Sequence, residues 1–164
     1  MNARVIEAMR RAEIFNDLDD EQLLRISEVC QAVRVAVGTM IFKEGDYGDE
    51  LYVIYEGKLR VAINTLAPDG TSTLTTINVL YPGQCFGELV LLNTGQRSAS
   101  VIALEPSTLI MLRELDFRTL CNAMPHIGYR VIYNLAQDLA IKLRNATMLL
   151  RGNIHIETGA AGGG

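Results

Sequence analysis

The sequence predicts an α+β domain in which an antiparallel β-roll or sandwich lies between two helical segments. Three observations predict it. Good helix formers dominate the first thirty or so residues, short runs with period-two alternation fill 33–113, and helical spacing returns over 114–150. The strand-like runs follow one another at short, regular intervals with turn residues between them. That spacing suits a closed antiparallel roll, since a parallel sheet needs a long crossover between strands.

The elements follow in order. Residues 3–31 read as helical, and Asp19 stands three residues before Gln22 at the head of Leu23, Leu24, Ile26, Val29 and Cys30, a variant of the capping box. Phe15 and Leu18 supply an apolar dock for this unit. Val33, Val35 and Val37 then alternate with Arg34 and Ala36 until Gly38 breaks the run. Residues 51–55 form a continuous apolar strand, and Glu56-Gly57 is a turn. Leu59, Val61 and Ile63 alternate with polar neighbours as a half-buried strand. Pro68-Asp69-Gly70 has the residue types of a tight turn, with φ fixed at Pro and positive φ tolerated at Gly. The β-branched run 71–79 ends at Tyr81-Pro82-Gly83, and 99–104 and 108–113 complete the roll of residues 33–113. A short helix is expected over 115–124, and Pro125 suits the first turn of a long one. Val131, Ile132, Leu135, Leu139, Leu143 and Leu150 lie near one stripe of that second helix. Residues 1–150 thus form one domain, and 151–164 read as a flexible Gly-rich tail.

Composition narrows the function classes. The chain has 164 residues, 49% hydrophobic and 21% charged, and its 15 basic and 19 acidic side chains leave a net charge of −4. Such a chain can bury an ordinary core, and its mild acidity speaks against a nucleic-acid binder. No apolar run reaches the roughly 18–20 residues of a membrane span. Cys30, Cys85 and Cys121 are odd in number and widely spaced, which suits a reducing, cytoplasmic setting. The histidines are His126 and His155 alone, with no cysteine or carboxylate cluster at ligand spacing beside them. A metal site, a catalytic relay and an enzymatic activity are therefore not expected.

One segment departs from ordinary strand chemistry. Phe86-Gly87 ends a strand, Glu88 to Leu92 can make a turn or two of helix, and Arg97-Ser98-Ala99 opens the next strand. A helix start offers free N–H groups to an anion, and Gly87 lets a ligand approach the backbone closely. Arg97 carries a guanidinium fork suited to phosphate, Ser98 a hydroxyl donor, and Glu88 an acceptor for a sugar hydroxyl. From spacing alone, Glu88 and Arg97 would serve equally well as a structural ion pair.

Further motifs carry a resemblance. Ile14-Phe15 with Leu18, the run from Glu44-Gly45-Asp46 through Gly48 to Ile54, Gly57 with Leu59 and Val61, Pro82-Gly83, Phe86-Gly87-Glu88-Leu89 and Arg97-Ser98-Ala99-Ser100-Val101 together resemble a cyclic nucleotide-binding domain, from about residue 14 to 150. The likeness is to catabolite-activator-like proteins and to protein kinase A regulatory subunits. It implies a jelly-roll type of β-roll with a short cassette helix. It further implies that Arg97 pairs with a cyclic phosphate and that Glu88 accepts from the ribose 2′-hydroxyl. Phe86, Gly87, Leu89, Ser98 and Ala99 would complete the ligand site, with backbone amides around 87–89 and at Ala99 lining the phosphate pocket. Gly45, Gly57 and Gly83 match structural glycines of the family. Two positions depart from its pattern: Gln96 replaces a common proline, and Val90 stands where a small residue is usual, which bears on affinity through crowding.

The resemblance favours cyclic AMP as ligand, because the Arg-Ser-Ala string is like the bacterial pattern; cyclic GMP and cyclic di-GMP are the alternatives, as is a ligand-free interaction scaffold. Arg144, Asn145 and Thr147 are late enough on the last helix to cap the base, although each would equally sit on a solvated face. The C-terminal helices over 114–150 are expected to move on binding, the last closing over the base, and its stripe to pack on the roll, to pair with a second copy or to dock on another domain. Only 14 residues follow Leu150, too few for a DNA-binding unit, so an effector domain or partner protein outside the chain is expected.

Overall fold

The computed structural model describes the backbone of residues 2–92 and 95–160 and the side chains of 4–92 and 95–148. Helix α1 (Asn2–Arg11) leads through a 3-10 turn (Glu13–Phe15) to α2 (Asp20–Ser27). The capping box forms as its residue types require. Asp19 accepts from the Gln22 amide at 2.9 Å, and the Gln22 side chain accepts from the Asp19 amide at 3.0 Å. Helix α2 stops at Ser27, short of the expected boundary at 31. From Cys30 onward the chain joins β1 (Cys30–Val35), whose ladder on a distant strand takes over residues that had read as the end of the helix.

The roll continues with β2 (Met40–Phe42), β3 (Glu50–Glu56), β4 (Leu59–Leu66), β5 (Ser72–Leu80), β6 (Cys85–Phe86), β7 (Ser100–Ala103) and β8 (Ser107–Arg113). These make two antiparallel four-stranded sheets, in the orders β1-β8-β3-β6 and β2-β7-β4-β5. A 3-10 turn (Glu88–Leu91) stands between β6 and β7, where the short cassette helix was expected. The hairpin between β4 and β5 closes as its residues dictate: Gly70 donates to the Ala67 carbonyl at 2.9 Å, and Asp69 accepts from the Thr71 amide at 2.9 Å.

The continuous apolar run of β3 has a physical reason, because both of its faces are buried. Tyr52 and Ile54 point into the roll with Leu59, Leu80, Phe86, Val101 and Leu109. Leu51 and Val53 face outward onto a second core with Val5, Met9, Phe15, Leu23, Ile26, Phe117 and Leu135. The helices thus cover the outer face of the first sheet, a layered arrangement around a shared wall. Helices α3 (Glu114–Ala123) and α4 (Pro125–Ala160) complete the chain. Val131 and Leu135 are buried, Ile132 and Leu139 half-buried, whereas Leu143 is 69% exposed. Helix α4 runs on to Ala160, through ten residues that had read as flexible tail, because lone glycines such as Gly152 weaken a helix by only about 1 kcal/mol each. The side chain of Leu150, expected on the stripe, and residues 161–164 lie outside what is described. No helix among the described residues is long and apolar enough to cross a membrane.

Gly45, Gly57 and Gly83 all have positive φ, as expected of residues that turn the roll. Gly57 is the most constrained, since its φ is +101° and a Cβ there would overlap the Ser107 side chain. Two stability predictions follow from these local features. Asp19→Ala should lower unfolding free energy by about 1 kcal/mol through loss of the cap. Gly57→Ala should cost more, about 2 kcal/mol, through strained φ and overlap combined. Denaturant midpoints at unchanged slope measure both; a Gly57→Ala midpoint equal to that of the parent would refute the second.

Candidate functional site

The cassette turn is placed by β6, which pairs Phe86 with Tyr52 across the ladder to β3. The two rings stack at 5.1 Å between centroids, and Phe42 tilts against Phe86 at 5.8 Å. Gly87 then breaks the strand at φ +72° and heads the turn. Its lack of a side chain serves a second purpose, because a Cβ would come within 2.7 Å of Arg97 Nη1 and 2.9 Å of the Glu50 carbonyl.

Arg97 is a charged side chain buried in the wall of the site. Only 4% exposed, it donates from Nη1 to the Glu50 carbonyl at 2.9 Å and from Nη2 to the Glu50 carboxylate at 3.0 Å. Its guanidinium carbon lies 4.1 Å from the centroid of the Phe42 ring, a cation–π contact. Gly48 closes the other side, and a Cβ there would lie 2.8 Å from Arg97 Nε. The Arg97 backbone is held as well: its amide donates to Asp46 at 2.7 Å, and its carbonyl accepts from Gly45 at 2.9 Å. Nε is buried without a partner, although an unmatched buried donor costs about 1–3 kcal/mol.

Glu88 is also buried, and it does not pair with Arg97. Its carboxylate accepts instead from Lys142 of α4 at 3.0 Å, and Lys142 is ion-paired with Asp138 at 2.7 Å. The ion pair left open by spacing is thus replaced by two separate ones, Arg97 with Glu50 and Glu88 with Lys142. Burial on its own would lower the Lys142 pKa. The Asp138 and Glu88 carboxylates outweigh it and hold the ammonium above its ordinary value. Cys85 lies beside this pair, and burial with the Glu88 charge pushes its thiol up to about 12, so it stays protonated and unreactive.

These groups surround one cleft of about 420 Å³, a size that suits a small organic ligand. Phe86, Gly87, Glu88, Leu89, Arg97, Ser98 and Ala99 all line it. Val90 is packed inside at 5% exposure, and Ser98 is exposed. The floor is apolar, with Val61, Leu80 and Val101, while one side is polar and charged. Arg144, Asn145 and Thr147 are exposed and line no part of it; Leu135, Asp138 and Lys142 are the α4 residues that do. Sequence reasoning therefore missed Phe42, Glu50, Asp138 and Lys142. Glu50 lay inside a quoted motif and Lys142 stood at i+4 from Asp138, but neither spacing reveals which remote group each would meet. Among the described residues, no group of three or more His, Cys, Asp or Glu side chains is placed to hold a metal ion.

Comparison with known proteins bears on the family and the fold. The family model for the cyclic nucleotide-binding domain matches residues 32–124, more than half of the chain. The cyclic AMP receptor protein of Thermus thermophilus is 34% identical over 142 residues, covering 87% of this chain and 62% of its own length. The cGMP-dependent protein kinase isozyme 1 of Drosophila melanogaster is 28% identical over 138 residues, covering 84% of this chain and 18% of its own. The chain thus spans less than two thirds of either relative. Among solved structures, the N-terminal domain of a transcriptional regulator from Streptomyces coelicolor superposes with a TM-score of 0.70 at 33% identity, covering 85% of this chain and 94% of that one. Two sheets closed into a roll, a cassette turn between β6 and β7 and the matched sequence place the chain in the cyclic nucleotide-binding domain family.

Proposed function

We propose that the chain is a cytoplasmic sensor of a cyclic mononucleotide, cyclic AMP in preference to cyclic GMP, that regulates an effector outside the residues described. One observation carries the reading. Arg97 is buried in the wall of the cleft with an unspent Nε–H. A buried cation is retained at a cost unless every donor is matched, and the anionic oxygens of a cyclic phosphate supply the missing acceptors. Glu88, at the adjoining end of the cassette turn, is the acceptor for the ribose hydroxyl, and the apolar floor receives the base. Ser98, exposed beside Arg97, reaches either a phosphate oxygen or a base edge. The absence of a pairing between Glu88 and Arg97 supports division of labour between sugar and phosphate.

Binding becomes regulation only when two conformations differ in affinity. The movable part is α4, which contributes Asp138 and Lys142 to the cleft wall and leaves Tyr129, Tyr133, Ile141 and Met148 exposed. That apolar surface supports pairing with a second copy, and no contact with nucleic acid is proposed for the residues described. The three free cysteines suit a reducing compartment.

Titration of nucleotide-free protein tests the reading. Cyclic AMP at about 100 times its dissociation constant should add about 2.7 kcal/mol of stability and raise the melting temperature by about 5–10 °C. Cyclic GMP should need a higher concentration for the same shift, and cyclic di-GMP should give none. Silence with all three ligands would refute a nucleotide sensor. Arg97→Ala should weaken binding by roughly 10–100-fold, the worth of a charged hydrogen bond; affinity retained within about twofold would move the phosphate elsewhere. Gly48→Ala should weaken it too, by displacing the guanidinium, in calorimetry on a variant whose circular dichroism matches the parent.

A further inference from the structure

A row of facing residues crosses the second sheet from edge to edge beneath the cleft. Phe42 on β2 faces Val101 on β7, Val101 faces Val61 on β4, and Val61 faces Asn78 on β5. Facing residues share one side of a sheet, and all four line the cleft. The row begins at the charge, since the Phe42 ring carries the Arg97 guanidinium at 4.1 Å. It ends at an amide three strand spacings of about 4.8 Å away, a distance on the scale of an extended nucleotide. That amide owes its place to a bulge. Thr76 faces Ala62, and plain alternation would set Ile77 opposite Val61; the register shift skips Ile77 and brings Asn78 into the row instead.

The orientation of the amide is set by its neighbour. The Val79 N–H donates to Asn78 Oδ1 at 2.8 Å, and only the oxygen can accept it, so the NH2 is the end left for the cleft. With the phosphate at Arg97 and the sugar at Glu88, the purine lies over Val101 and Val61 and its six-membered ring reaches Asn78. On that edge adenine offers N1 as an acceptor, whereas guanine carries an N1–H and an amino group. We propose that Asn78 reads the base by donating from Nδ2 to N1 of adenine, which sets donor against donor when guanine takes its place. The inference rests on Arg97 and Glu88 holding phosphate and sugar as proposed above. Because Asn78 is exposed, N1 replaces water, and the contact is worth one neutral hydrogen bond, about fivefold in affinity.

Calorimetry with cyclic AMP, cyclic GMP and 1-deaza cyclic AMP, in which C–H replaces N1, tests the contact. The wild-type chain should bind the deaza analogue about fivefold more weakly than cyclic AMP; equal affinity overturns the contact without any substitution. Asn78→Leu should lose about fivefold toward cyclic AMP and stay within about twofold of wild type toward the deaza analogue. Equal losses with both ligands would mean that Asn78 acts through shape alone, which also overturns it. Asn78→Asp keeps an oxygen for the Val79 amide and turns an acceptor to the cleft. It should move the affinity ratio roughly tenfold toward cyclic GMP, and an unchanged ratio overturns base reading. The ratio cancels repulsion between the new carboxylate and the phosphate, which both ligands share. A wild type that binds none of the three overturns the sensor reading together with this inference, whereas binding that is insensitive to N1 overturns this inference alone.

Discussion

The rest of the site is arranged around one buried cation, the guanidinium of Arg97. Its side chain draws on the Glu50 carbonyl and carboxylate, its face rests on Phe42, and its edges abut Gly48 and Gly87. The backbone of Arg97 is clamped by Gly45 and Asp46. Two separate stretches of chain, residues 42–50 and the turn at Gly87, must therefore be in place before the charge can be buried without prohibitive loss. The same requirement makes the site rigid: a charge with 4% exposure tolerates little displacement of its partners.

The scaffold supplies that placement through β3. Its inward residues build the roll and its outward residues build the helical layer, so a shift of one residue would exchange the two cores. Register along β3 sets the position of Glu50 at one end and, through the Tyr52–Phe86 pair, the start of the cassette turn. The acid that holds Arg97 and the turn that carries Glu88 are thus fixed by the same strand. Opposite them, α4 is anchored by Ile127, Val131 and Leu135, and beyond Leu139 its hold on the cassette among the described residues is the ion pair of Lys142 with Glu88. Helix α4 is thus packed firmly at one end and held by a polar contact at the other.

Local chemistry was legible wherever a residue acts on neighbours within a few positions. The Asp19–Gln22 cap, the Pro68-Asp69-Gly70 hairpin and the helix begun by Pro125 follow from rules that span one turn. The boundary between α2 and β1 was misjudged because Cys30 pairs with Leu112, a partner 82 residues away that no local pattern announces. The end of α4 was misjudged in the opposite way, since residues rich in glycine were read as breaking a helix that continues to Ala160.

The sequence by itself determined most of the elements and the turns that close the roll, because these depend on propensity and periodicity within a short stretch, but not the short strand β2 or the 3-10 form of the cassette turn. Only the tertiary structure decided with whom the charges pair. Glu50 lies 47 residues from Arg97, and Lys142 lies 54 residues from Glu88. Such pairings are set by how the strands register and where α4 lands, and a buried charge takes the partner that geometry brings within reach.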